Sequence, residues 1–319
     1  MAFSLLRMHY HSQMASLPTI LALRRACRRR SLLRAAGLLF ALAAAPAARA
    51  AEPLRVVVSI PPQKQFVERV GGSEVEVTVL VGPGQSPHSY EPTPQQIASL
   101  AQADVYFRIG ADFERGLLPK IAQAHPHLRI VDTRQGIALR PIEPSRGRRF
   151  ASGADLEAAP DPHIWTSPPL VRRQAQTIRD ALTDLRPPMR SRFAAGYSSY
   201  ASELDRLDGE LRRAVEGKQR RAFLVFHPAW GYLADAYGLE QIAIELGGRE
   251  PGPQALAAQI ERARAEGIRL IFVQKQFSRS SAVAMARAIG GEVVELDPLA
   301  EDFVAATREV AAALARALQ

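Results

Sequence analysis

The sequence predicts an α/β protein of two lobes, each a mainly parallel sheet flanked by helices, joined by a long linking helix. Three observations predict it. Short β-branched runs alternate with helical patterns over 54–131, and the same alternation restarts over 222–318. Between them lies a long, charged stretch of helical period that belongs to neither pattern.

The elements follow in order. Residues 54–60 (LRVVVSI) read as a buried strand, and 63–70 as a helix stopped by Gly71-Gly72. A second strand over 75–81 ends at Gly82-Pro83-Gly84. The helix over 93–103 opens on Thr-Pro, a cap followed by a first-turn proline. Then come a strand at 105–109, a helix at 113–124 and a short strand at 128–131. Residues 133–162 are rich in Pro, Gly, Arg and Ser, which predicts a long surface loop. Residues 168–216 are helical, interrupted at Pro187-Pro188. In the second part, 188–216, Phe193, Tyr197, Tyr200, Leu204, Leu207 and Leu211 recur every three or four residues and make one apolar stripe.

Beyond it, strands are expected at 222–226, 241–246, 269–273 and 292–296. Helices are expected at 230–237, 254–266, 278–289 and 302–318. The domain organisation is therefore a leader over 1–50, an N-terminal lobe over 51–187, a linking helix over 188–216 and a C-terminal lobe over 217–319.

The leader accounts for the charge. The chain of 319 residues has a net charge of +9, which taken alone suggests an acidic partner such as nucleic acid. Residues 1–50 carry eight arginines and no Lys, Asp or Glu. An uncharged run over 35–48 follows the basic cluster, and Ala48-Arg49-Ala50 offers small residues at a cleavage site. Basic, apolar and small in that order make a cleaved secretory signal. The apolar run would span about 21 Å as a helix, short of the roughly 30 Å hydrocarbon core. Without the leader, 33 basic residues face 32 acidic ones, and no nucleic-acid partner is expected. The single cysteine, Cys27, lies in the leader. A disulfide framework, a multi-cysteine zinc site and a cysteine-ligated iron–sulfur cluster are excluded.

Three histidines fall where an open α/β sheet places ligands, at or beyond strand ends. His88 lies just past the second strand, His163 ends the long loop, and His227 directly follows the strand AFLVF. Asp297 holds the same kind of position after the last strand. Three imidazoles and one carboxylate suit a borderline-soft divalent cation such as Zn²⁺, and Mn²⁺ or Fe²⁺ could use the same set. A histidine at a strand end is also a common cap, and Asp-Pro a common turn, so the residues alone leave both readings open. Asp161 and Glu245 are candidates to fix the imidazole tautomers. His125 and His127 form an H-x-H pair that reads as ordinary surface, with auxiliary metal binding the alternative.

Five segments carry a family resemblance. SIPPQKQFVERVGG (59–72), PHSYEPTP (87–94), DPHIW (161–165), FHPAWGY (226–232) and LDPL (296–299) occur in this order. Together they resemble the metal-binding solute receptors of bacterial ABC importers, over essentially all of 54–318. The resemblance implies His88, His163, His227 and Asp297 as metal ligands, two lobes joined by one long helix, a periplasmic location and docking to an inner-membrane permease. It also implies a monomeric carrier with no catalytic role. A histidine at 227 is similar to zinc receptors, whereas many manganese receptors have glutamate there. The chain departs from many zinc receptors in lacking a long His-rich loop; its 133–162 segment is Arg-rich instead (Arg134, Arg140, Arg146, Arg148, Arg149). A zinc hydrolase is the rival class, but no H-E-x-x-H occurs.

Overall fold

The computed structural model describes residues 52–142, 160–245, 251–275 and 279–318. The expected leader, Cys27, and the loop arginines Arg146, Arg148 and Arg149 lie outside the described residues.

The N-terminal lobe is built on β1 (Leu54–Val58), β2 (Val75–Val79), β3 (Val105–Arg108) and β4 (Arg129–Asp132), all parallel, in the order β2-β1-β3-β4. Helices α1 (Pro61–Gly71), α2 (Pro94–Gln102) and α3 (Asp112–Ala124) connect them. The second sheet repeats the plan with β5 (Ala222–Val225), β6 (Glu240–Ala243), β7 (Leu270–Val273) and β8 (Glu292–Glu295), in the order β6-β5-β7-β8. Its helices are α6 (Gly231–Tyr237), α7 (Pro253–Ala265), α8 (Arg279–Ile289) and α9 (Phe303–Ala317). Each central strand is apolar on both faces, as a parallel sheet covered by helices requires. Val56, Val57 and Val58 are buried in β1, and all four residues of β7 are buried.

Between the sheets run α4 (Pro168–Leu185) and α5 (Arg190–Val215), separated by a short 3₁₀ turn at Pro187–Met189. The 26 residues of α5 span about 39 Å. Phe193, Tyr200, Leu204 and Leu207 enter the N-terminal core, while Leu211 and Val215 enter the C-terminal one. The apolar stripe read from the sequence thus serves both lobes, although Tyr197 is only partly buried. Gly196 lets α5 approach α1 closely, because a Cβ there would strike the Val70 carbonyl.

Several boundaries differ from expectation by one to three residues: β1 and β2 end two residues early and β6 three. Helix α1 begins at Pro61, two residues early, because Pro61-Pro62 fill its first turn and Gln63 reaches back. The Gln63 Oε1 accepts the N–H groups of Ser59 at 3.1 Å and Ile60 at 3.3 Å, taking up donors the helix start leaves open.

The lobes also touch directly. Lys64 on α1 pairs with Glu301 at 2.7 Å, and Gln65 donates to Asp302 at 3.0 Å. Asp302 caps α9 by accepting the Ala305 N–H, and Phe66 meets Phe303 edge-on with centroids 5.4 Å apart.

Candidate metal centre

The carboxyl ends of the strands of both sheets face one cavity of about 30 Å³, room for a single water-sized particle. His88, His163, Trp165, His227, Gln274 and Leu299 are among its walls.

Each histidine is held by its own local structure. His88 sits in the turn after β2, where Ser86 Oγ accepts its backbone N–H at 3.3 Å. Two residues on, buried Tyr90 donates to Gln96 Oε1 at 2.6 Å, and Gln96 donates to the Leu80 carbonyl at 2.6 Å. Burial pushes the Tyr90 hydroxyl up to about 12, so it remains a donor. The Tyr90 ring also packs edge-on against Phe113, the second residue of α3. His163 follows an Asp-Pro turn in which Asp161 Oδ1 accepts the His163 backbone N–H at 2.9 Å. His227 leaves β5 clipped by Gln274, just past β7. Gln274 Oε1 accepts its N–H at 3.2 Å, and Gln274 Nε2 donates to its carbonyl at 2.7 Å.

The three rings converge. His88 Nε2 lies 3.1 Å from His227 Nε2, and His227 Nε2 lies 3.2 Å from His163 Nε2. The ligand nitrogens of all three lie within 4.8 Å of one another. Every Nδ1 faces a carboxylate: His88 to Asp112 at 3.1 Å, His163 to Asp161 at 2.7 Å, and His227 to Glu245 at 2.9 Å. Carboxylates only accept, so each Nδ1 carries the proton in the neutral ring and each Nε2 presents a lone pair. Three lone pairs aimed at one point repel unless a cation stands between them. Tetrahedral zinc with Zn–N of about 2.05 Å sets its ligand nitrogens about 3.3 Å apart, close to the two observed separations.

Burial lowers the pKa of His163 below 6.5, which outweighs the opposing pull of Asp161. The ring therefore stays neutral and able to bind a cation at neutral pH. Asp161 itself is 1% exposed. Arg140 lies with Nη1 3.5 Å from Asp161 Oδ2 and Nε 3.0 Å from Asp235 Oδ2 on α6. Gly231 makes room for it: a Cβ there would collide with the guanidinium.

Asp297 stands outside the 4.8 Å histidine group. It lies in the turn after β8, where its Oδ1 accepts the Leu299 N–H at 2.9 Å and its Oδ2 is 4.0 Å from Lys275 Nζ. Its neighbours Pro298 and Leu299 line the same cavity as the imidazoles. His125 and His127 lie elsewhere, at the end of α3, edge-on with centroids 5.9 Å apart; His127 Nε2 contacts the Ala101 carbonyl at 3.1 Å.

The sequence reading named Asp161 and Glu245 as tautomer partners but missed Asp112, Gln274 and Arg140. Asp112 carried one usable signal: it is an acidic residue opening a helix directly after a strand, the same edge of the sheet as His88.

Comparison with known proteins decides the family. The family model described as "Zinc-uptake complex component A periplasmic" (ZnuA) matches residues 56–317. The chain belongs to the ZnuA family. A crystal structure of a ZnuA protein is 40% identical and superposes with a TM-score of 0.76, covering 84% of this chain and 100% of that one. A zinc-bound ZnuA deletion mutant gives 40% identity and a TM-score of 0.75, covering 84% and 98%. The high-affinity zinc uptake protein ZnuA of Bacillus subtilis is 26% identical over 253 residues, covering 78% of this chain and 79% of that one. The zinc-binding lipoprotein AdcA of Streptococcus pneumoniae is 26% identical over 275 residues, and the aligned part covers 82% of this chain and 53% of AdcA. The ZnuA family is one of metal-binding receptors, not enzymes, which sets the hydrolase reading aside.

Proposed function

We propose that this chain is an exported, periplasmic zinc receptor that captures Zn²⁺ and delivers it to an ABC permease in the inner membrane. The carrying observation is the convergence of three Nε2 atoms whose rings are each oriented by a carboxylate. His88, His163 and His227 supply three nitrogen ligands, and Asp297 completes a four-coordinate shell when the cation draws its carboxylate in. Four protein ligands leave no open position for a substrate or an activated water, so the site carries metal. The ion is cargo: it enters from the periplasm and leaves to the permease.

In this reading residues 1–50 are a cleaved leader, 51–187 and 217–319 are the lobes, and 188–216 is the link. The mature protein acts as a monomer. The family's description as a periplasmic uptake component supports the location and the partner. His227 favours zinc over manganese, since a third imidazole suits the softer ion.

Isothermal titration of the chelator-stripped protein tests the proposal. One Zn²⁺ per chain is expected, taken up in preference to Mn²⁺, with His163→Ala sharply weaker. No uptake of either metal refutes the receptor reading; preference for Mn²⁺ refutes the zinc assignment alone.

A further inference from the structure

The 3₁₀ turn Ile164–Thr166 directly follows His163, and both of its last side chains cross to the opposite lobe. The Trp165 indole Nε1–H donates to the Pro298 carbonyl at 2.8 Å. Thr166 Oγ1 lies 3.2 Å from the Ala229 carbonyl, on the turn that carries His227. Pro298 is the residue after Asp297, whose turn is closed by the Leu299 N–H. Trp165 is 2% exposed, its ring packs against His163 with centroids 5.0 Å apart, and it walls both the histidine cavity and a second one bordered by Asp297.

We infer that Trp165 is a positioning residue for the metal site, fixing the Asp297 turn of one lobe against the His163 turn of the other. The inference rests on the proposed ligand role of Asp297. A half-buried carbonyl that loses its donor seeks another partner, so the turn would shift. An indole N–H is a single rigid donor on a ring already pinned by packing, which suits it to setting a distance between lobes. Trp165 acts on the cation through Asp297 and makes no bond to it. Thr166 Oγ1 also lies 3.0 Å from the His163 carbonyl, so its single proton is shared between its own segment and the His227 turn, and Trp165 is the dedicated donor across the lobes.

The test compares wild type, Trp165→Phe, Asp297→Ala and the double variant in the full mature chain. Zinc affinity is read by chelator competition and coordination by the visible d–d spectrum of the Co²⁺-loaded protein. W165F is expected to lose about 10- to 100-fold in zinc affinity, the range for groups that orient metal ligands. Its Co²⁺ spectrum should shift toward that of D297A, and W165F should add less than about twofold in the D297A background. A wild-type spectrum in W165F, or losses that multiply fully in the double variant, overturns the inference and leaves Trp165 a packing residue. Wild-type affinity and spectrum in D297A removes Asp297 from the ligand set, and the inference falls with that reading. Incorporating 3-benzothienylalanine at 165, which keeps the bicyclic shape and lacks the N–H, gives the same comparison should W165F fail to fold.

Discussion

Three carboxylates orient three imidazoles, but they stand in different surroundings, and their removal should not cost the same. The perturbation is a set of near-isosteric neutralisations: Asp161→Asn, Glu245→Gln and Asp112→Asn. Each keeps an oxygen acceptor and removes the charge. Asp161 and Glu245 are 1% and 5% exposed, whereas Asp112 is 51% exposed. A buried hydrogen bond to a charged group contributes about 1.5–3 kcal/mol, and solvent erodes that at an exposed one. Asp161 also accepts the His163 backbone N–H, so neutralising it loosens the turn as well as the ring. Groups that orient metal ligands are worth about 10- to 100-fold in affinity, or about 1.4–2.7 kcal/mol. D161N belongs at the upper end, E245Q near it, and D112N at about tenfold or less. The assay is competition for Zn²⁺ against a fluorescent chelator at fixed pH and salt, with metal-free melting curves to verify folding. A loss in D112N equal to or larger than that in D161N would refute the reasoning, as would three variants all within about twofold of wild type.

Other outcomes follow from the same structure. Gly231→Ala should push the Arg140 guanidinium, the far end of a flexible side chain, away from Asp161 and cost the metal-free protein about 1 kcal/mol or less, read by urea unfolding. Asp302 is held below the ordinary carboxyl value of 3.8 by the Ala305 N–H and the Gln65 side chain. Its contribution is complete above that value and is lost as pH falls through the lower folded-state value. Asp302→Asn should therefore shrink the stability difference between pH 7 and pH 3, and an unchanged difference counts against the cap. His227→Glu should lower the ratio of zinc to manganese affinity measured by direct competition, since an oxygen replaces a nitrogen donor.

Much of this architecture is legible in the chain. The strands announce themselves because parallel strands buried on both faces need unbroken apolar runs, as LIFV at β7 illustrates. The histidines are legible because strand ends mark the cleft before any folding is known. What sequence does not carry is partnership across distance. Asp112 meets His88 from 24 residues away, Gln274 meets His227 from 47, and Trp165 meets Pro298 from 133. Local signals mark at most where such residues lie, as the helix start does for Asp112 and the DPHIW segment for Trp165; the partner of each is set by the packing of an element it does not belong to. The start of α1 differs for a nearer reason: the expected helix over 63–70 leaves out Pro61-Pro62, which the first helical turn accommodates.

The sharing of α5 between two cores bears on how the molecule comes apart. Phe193 to Leu207 complete one core and Leu211 to Val215 the other, on a single uninterrupted helix. Unfolding either half would strip one end of that helix of its packing, and an unsupported helix end is marginal in water. The shared helix should couple the melting of one lobe to that of the other, so a single cooperative transition is expected. A fragment cut at the lobe boundary would inherit half a rod and an unfilled groove, exposing apolar surface that the intact chain keeps hidden.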